Sequence, residues 1–386
     1  MSVSAAQGFR AAGATAGLKD SGASDVALVV NDGPRSAAAA VFTSNRVAAA
    51  PVRWSRRVLS DGAARAVVLN SGGANAATGA QGQADARASA EHVASRLGLD
   101  SQDVAVCSTG LIGERLDMPR LLTGIDAAVD GLAEEGGDDA ARAIMTTDTV
   151  PKQAVSRAEG YVLGGMAKGA GMLAPGLATM LCVLTTDADL PADVLQACLR
   201  EAVRTTFDRT DSDGCMSTND TVLLLASGAA DHTPEPDEFT HRLREVCADL
   251  ARQLIADAEG ARHEIAVRVV GAATEPAAEA VARAVTRSNL FKTAVFGQDP
   301  NWGRVISAVG TVPESVAAFD ADALDVWFNG VRVCRAGGVG EPRDGVDLTG
   351  RQVQVVIDLH AGDAEATIWT NDLTHDYVHE NSAYST

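Results

Sequence analysis

The chain has few aromatic residues (4%) and little positive charge: 32 Lys and Arg face 51 Asp and Glu, for a net charge of −19. That balance excludes a nucleic-acid surface, which needs clustered cations to replace phosphate counterions. It reads instead as a solvated, solubilising exterior. No uncharged apolar run approaches the roughly 20 residues of a membrane helix. The stretch Met1–Arg10 lacks the charged start and apolar core of a secretory signal, so a cytoplasmic protein is expected. Six cysteines (107, 182, 198, 215, 247 and 334) are scattered without Cys-x-x-Cys spacing and are expected to be reduced, mostly in the core. His-Glu-x-x-His, the phosphate-binding Gly-x-x-x-x-Gly-Lys-Ser/Thr loop and the Gly-x-Ser-x-Gly elbow do not occur. Gly164-Gly165 and Gly169-x-Gly171 have the wrong spacing for a dinucleotide site. Neither a metal nor a cofactor is expected.

What is present is a chain of 386 residues, long enough for a large core and for two lobes. Strand-like runs lie at Val26–Val30, Ala66–Leu69, Val104–Cys107, Met180–Leu184, Val222–Ala226, Ile265–Val270, Leu324–Phe328, Val353–Leu359 and Ala366–Trp369. Helical patterns lie between them, at Ala84–Leu97, Met118–Ala133, Asp193–Thr206, Pro236–Asp257 and Pro276–Arg287. In Pro236–Asp257, residues Phe239, Leu243, Val246, Leu250 and Leu254 make one apolar face. Asn329-Gly330 predicts a two-residue hairpin turn. Glu134–Asp139 reads as an exposed linker, and Asp299–Arg304 as a rigid structural turn in which Arg304 pairs with Asp299. The mixture is α+β or layered α/β.

The most informative stretch is Lys168–Asp187, where a loop rich in Gly and Pro ends at Ala178 and an apolar run begins at Thr179. Cleavage between those two residues would give Thr179 both a nucleophilic hydroxyl and a free α-amine. That amine, with an ordinary pKa of about 7.7–8.0, could serve as base for its own hydroxyl. The glycines supply a loop able to take strained geometry beside the scissile bond. A β-branched residue opening an ordinary strand is the plain alternative.

The segment resembles the cleavage region of the glutamate N-acetyltransferase (ornithine acetyltransferase) family of arginine biosynthesis, Lys-Gly-Ser-Gly-Met-Ile-Ala-Pro-x-x-Ala-Thr-Met-Leu. Asn70–Asn75, Cys107–Glu114, Met145–Lys152, Lys292–Gly297, Asp299–Arg304 and Asn381–Thr386 are similar to further blocks of that family, in family order over nearly the whole chain. The resemblance implies a layered αββα sandwich like that of self-cleaving amidohydrolases, with a smaller α/β lobe. It also implies intertwined fragments 1–178 and 179–386, assembled as two copies of each.

The activity implied is transfer of an acetyl group from N-acetylornithine to glutamate by a ping-pong route through acetyl-Thr179. Acetyl-CoA is a further donor in some family members. The resemblance places the oxyanion pair on Thr109 and Gly110, which follow a strand pattern; a Ser-Thr-Gly turn is the plain alternative. Substrate contacts fall on Thr146 (with Thr147 and Thr149 as neighbours of equal standing), Lys168, Thr179, Glu259, Asn381 and Thr386. A surface lysine and a helix-terminal glutamate are the plain readings of Lys168 and Glu259. Ala77 stands where the family has Cys, and Arg262-His263 where it has Thr-Lys, a change that bears on the rim beside Glu259. Removing Tyr384–Thr386 is expected to raise KM or abolish transfer while leaving cleavage intact; wild-type kinetics in that truncation would discard a role for the tail. Two rivals remain: a self-cleaving aminopeptidase or amidase using the same Thr179, and an amino-acid-binding regulatory protein that stays whole.

Overall fold

Several strands of the first two-thirds are buried on both faces, the pattern of sheets covered on either side. The structure is a computed structural model and describes residues 2–172 and 180–383. The described chain divides into two units, one spanning positions up to Asp208 plus Cys215–Asp257, the other Arg209–Gly214 and residues from Ala258 onward.

The first unit runs β1 (Phe9–Ala14), β2 (Val26–Asn31), β3 (Ala37–Phe42), α1 (Ala50–Val58), β4 (Ala66–Asn70), α2 (Gly79–Leu97) and β5 (Val104–Ser108). It continues through α3 (Met118–Asp130), α4 (Gly137–Ala143), β6 (Lys152–Ala158), β7 (Tyr161–Lys168), β8 (Leu181–Thr186), α5 (Ala192–Arg204), β9 (Thr221–Ala226) and α6 (Pro236–Ala256). One sheet has the order β1-β2-β4-β5 and the other β3-β9-β8-β7-β6. Phe9, Val29, Val67, Leu69 and Cys107 of the first sheet meet Met166, Leu181, Val183 and Leu223 of the second in one core. The first sheet's other face packs Val26, Leu28, Val68 and Val106 against α1, α2 and α3. Helices α5 and α6 pack on the second sheet, against β3 and against β6 and β7. The layers are therefore αββα. β7 and β8, from either side of residues 173–179, pair antiparallel as neighbours.

The second unit contains β10 (Glu264–Ala272), α7 (Glu275–Thr286), α8 (Asn289–Phe296), α9 (Trp302–Val309), β11 (Asp325–Phe328), β12 (Val331–Arg335), β13 (Gly338–Val339), β14 (Gln352–Asp358), β15 (Ala364–Asn371) and α10 (His375–Ala383). Its sheet has the order β13-β12-β11-β14-β10-β15, and its core packs the sheet against α7, α8 and α9. Asn329 and Gly330 both have positive φ, 45° and 88°, and turn β11 into antiparallel β12.

Two sequence expectations need correction. Gly136 and Gly137 of the expected linker are buried, and Gly137–Ala143 is a helix. A Cβ at Gly136 would lie 1.9 Å from the Ala11 carbonyl oxygen, so glycine here serves close packing on β1 rather than exposure. Arg304 does not pair with Asp299: it donates to the Leu290 carbonyl at 2.6 Å, while Asp299 faces Arg343 at 3.6 Å. Among the described residues five cysteines are buried, Cys215 is exposed, and all six are free thiols. No described helix is long and apolar enough to cross a membrane.

Candidate active site

The site in the first unit grows from the end of β5. Parallel pairing of β4 with β5 sets Asn70 opposite Ser108, and the Ser108 hydroxyl donates to Asn70 Oδ1 at 2.5 Å. Asn70 Nδ2 donates to the Gly73 carbonyl at 2.9 Å, and Asn219 Nδ2 donates to the carbonyls of Ala74 (2.6 Å) and Ser108 (2.8 Å). Three buried amide and hydroxyl side chains thus fix the turn that carries Thr109 and Gly110.

At this turn Gly110 takes a φ of 129°, and a Cβ there would lie 2.7 Å from the Gly73 nitrogen. Only glycine fits this close approach. Among the described residues the Gly110 N–H meets no acceptor. Beside it the buried Thr109 hydroxyl accepts from Lys168 Nζ at 3.2 Å, which leaves its own proton available to an outside acceptor. A backbone N–H and a hydroxyl without acceptors, with an ammonium behind them, form a cradle for a developing oxyanion.

Lys168 ends β7 and is only 2% exposed, so the surface-lysine alternative is wrong. Its burial is supported by Asp148, whose Oδ1 accepts from Lys152 Nζ at 2.6 Å and from the Gly169 N–H at 2.7 Å. Oδ2 accepts from the Thr146 N–H at 2.9 Å. Burial alone would raise the Asp148 carboxyl, but the Lys168 and Lys152 ammoniums and these hydrogen bonds outweigh it and hold it at about 2. Lys152 Nζ also donates to Asp257 at 2.5 Å. Lys19 donates to the carbonyls of Ser24 (2.8 Å) and Met145 (2.7 Å), and burial lowers its ammonium to about 8.

The three neighbouring threonines part here. The Thr149 hydroxyl donates to Asp257 and is exposed. Thr147 has other partners. Thr146 is half-buried, and its hydroxyl has no hydrogen-bond partner among the described residues. Ala178, Thr179 and Thr386 lie outside the described residues.

In the second unit Glu259 is 7% exposed and accepts from Asn381 Nδ2 at 2.9 Å, while the same amide donates to the Tyr377 carbonyl at 3.0 Å. Here α10 lies so close to Gly260 that a Cβ there would sit 2.2 Å from the Tyr377 nitrogen. His263 is no part of a rim. It is buried with Nδ1 2.7 Å from Asp372 and Nε2 3.1 Å from the Leu348 carbonyl.

Asp148, Lys152, Lys19 and Asn219 were missed as site-building residues by sequence reasoning. Asp148 and Lys152 stand inside the quoted Met145–Lys152 block, so a signal existed. For Lys19 and Asn219 there was none, since only chain folding brings them near. Among the described residues no group of three or more His, Cys, Asp or Glu is arranged to hold a metal.

The model of the ArgJ family matches residues 10–386. The "Arginine biosynthesis bifunctional protein ArgJ" of Streptomyces avermitilis is 64% identical over 385 residues, covering 100% of both chains. The protein of the same name from Thermobifida fusca is 61% identical over 386 residues, again covering 100% of both. A solved ornithine acetyltransferase from Mycobacterium tuberculosis, in complex with ornithine, is 54% identical over 47% of this chain and 96% of its own, with a TM-score of 0.45. With a match of that length and relatives of that identity, the chain belongs to the ArgJ family of arginine-biosynthesis enzymes.

Proposed function

We propose that this enzyme cleaves itself between Ala178 and Thr179 and then moves an acetyl group from N2-acetyl-L-ornithine to L-glutamate. In the precursor, Thr179 Oγ attacks the Ala178 carbonyl, the acyl group passes from nitrogen to oxygen, and water hydrolyses the ester. The chain is then two fragments, 1–178 and 179–386. In the first half-reaction Oγ attacks the acetyl carbonyl and gives its proton to the Thr179 α-amine. As the acetyl C–N bond breaks, that proton passes to the departing nitrogen of ornithine. In the second, the amine of glutamate attacks the acetyl ester, and its proton returns through the α-amine to Oγ, leaving N-acetylglutamate.

The observation that carries this reading is the pair of donors at Thr109 and Gly110, which have no acceptor among the described residues and are backed by buried Lys168. Each tetrahedral step places negative charge on a carbonyl oxygen, and one such donor is typically worth about 2.7–4 kcal/mol. Lys168 adds positive charge there, and the Thr146 hydroxyl, without a hydrogen-bond partner among the described residues, is assigned as a substrate contact. Glu259 is assigned to a substrate ammonium, with Asn381 orienting its carboxylate. Thr386 completes the assignment as a tail contact. Acetyl-CoA as a second donor fits the word "bifunctional" in the relatives' names. The same reading takes the enzyme as a cytoplasmic assembly of two copies of each fragment.

The test is an assay of purified enzyme with N-acetylornithine and glutamate, beside a denaturing gel and N-terminal sequencing. Stoichiometric ornithine and N-acetylglutamate, and a fragment beginning at Thr179, are expected. Release of acetate with no N-acetylglutamate would assign a hydrolase instead.

A further inference from the structure

Lys19 lies in the loop between β1 and β2, and that loop is built against the turn that carries Thr109 and Gly110. Asp25, wholly buried, accepts from the backbone N–H groups of Ala16 (2.6 Å), Leu18 (2.6 Å) and Lys19 (3.2 Å), which fixes the loop from within. The Asp25 carbonyl accepts from the Ser71 N–H at 2.9 Å, and Leu18 packs so closely that a Cβ on Gly72 would lie 2.2 Å from the Leu18 Cβ. The next residue, Gly73, donates its N–H to the Thr109 carbonyl at 3.0 Å. Loop, Ser71–Gly73 turn and Thr109–Gly110 turn therefore pack as one block.

From this loop the half-buried Lys19 side chain donates to the carbonyls of Ser24 (2.8 Å) and Met145 (2.7 Å). The Met145–Thr146 peptide is thus held from both edges, its carbonyl by Lys19 and its N–H by Asp148. An ammonium has three donors. The third one on Lys19 has no partner among the described residues, and no carboxylate among them lies within ion-pair distance of it. Burial lowers this ammonium to about 8; Asp25 and Asp148 offset only part of that, and the charge of Lys168 adds to it. A cation desolvated in this way gains from meeting an anion.

The assigned chemistry supplies one. With Glu259 on a substrate ammonium and Lys168 behind the oxyanion, the α-carboxylate is left without a cation. That group is common to N-acetylornithine and glutamate. Their side-chain ends carry opposite charges, so a fixed cation there would favour one substrate and repel the other. The α-carboxylate is also joined through a single carbon to the nitrogen that loses or gains the acetyl group. Its cation has to stand beside the carbonyl cradle, where this loop stands. We propose that Lys19 binds the α-carboxylate shared by the two substrates, beside the Thr146 hydroxyl. This rests on the acetyl-transfer reading above and adds to it the residue that selects for the common end of both substrates.

The test compares N-acetylornithine with its α-carboxamide, which keeps the shape and loses the charge. For wild type, KM for the amide should exceed that for the acid by about 10-fold or more, the usual scale of a hydrogen bond to a charged group. In Lys19→Met, KM for N-acetylornithine and for glutamate should each rise by about 10-fold or more, with kcat changed less, because the contact is made equally before and during reaction. The acid should also lose its advantage over the amide, which a merely structural lysine would not cause. A preference for the acid as large as that of wild type would overturn the assignment.

Wild-type enzyme supplies a second measurement that does not depend on folding of the variant. N-acetylglutamate at saturation should protect Lys19 from acetic anhydride, read on its peptide by mass spectrometry, and the α-amide of N-acetylglutamate should not. No difference between acid and amide sinks the role of Lys19 while leaving acetyl transfer intact. Wild-type enzyme that makes no N-acetylglutamate from N-acetylornithine and glutamate sinks both.

Discussion

Thr179→Ala is expected to migrate as one full-length band and to lose acetyl transfer by at least about 10⁴-fold, the scale seen when a covalent nucleophile is removed from a group that acts as a unit. Two functions disappear together, because the same oxygen is assigned to cutting the chain and to carrying the acetyl group. The turn at Thr109 and Gly110 does not depend on residue 179: its geometry comes from Asn70, Ser108 and Asn219. The variant should therefore keep its thermal transition within a few degrees of wild type. Thr179→Ser retains a hydroxyl and should still cleave. If Thr179→Ala appears as two fragments, or transfers acetyl at the wild-type rate, the covalent route is wrong.

Asp148→Ala is expected to lower stability by about 3–5 kcal/mol, the usual result of breaking a buried ion pair from one side. The substitution leaves Lys152, itself fully buried, with the Asp257 carboxylate and the Val150 carbonyl, and strands the N–H groups of Thr146 and Gly169. Denaturant midpoints at neutral pH measure the loss; a change below about 1 kcal/mol would show that the carboxylate is not paired as described. Acid offers a second view of the same group. A carboxyl held at about 2 when folded and near 3.9 when unfolded adds stability above pH 4. That contribution fades as pH falls from about 4 towards 2. Wild-type enzyme should show the decline, and Asp148→Ala should show it in reduced form.

Much of the layering was legible before any coordinates. Continuous apolar runs such as Val26–Val30 and Val104–Cys107 are strands covered on both faces, and the spaced apolar residues of Pro236–Asp257 are all buried in α6. Among the strands not found are β1, β3 and β7. Their sequences, Phe-Arg-Ala-Ala-Gly-Ala, Ala-Ala-Ala-Ala-Val-Phe and Tyr-Val-Leu-Gly-Gly-Met-Ala-Lys, are rich in residues with little intrinsic preference for strands. Neighbours decide such segments: at Gly164, for instance, a Cβ would lie 2.2 Å from the Ser2 carbonyl oxygen. The helices α8 and α9 were hidden in blocks read as motif or turn, because eight residues give only two turns of periodicity.

The site divides in the same way. The Gly- and Pro-rich loop that ends before Thr179 drew attention by its own composition, whereas the Thr109-Gly110 pair, Lys168 and Glu259 were expected because blocks of the chain resemble those of the family. Burial of Lys168, commitment of Thr149 to Asp257 and exclusion of His263 from the rim were decided only by tertiary structure. Hydrogen bonding and desolvation depend on which distant segments fold against a residue. Asp148 to Asp257 and Asn70 to Asn219 are separations that no local pattern encodes.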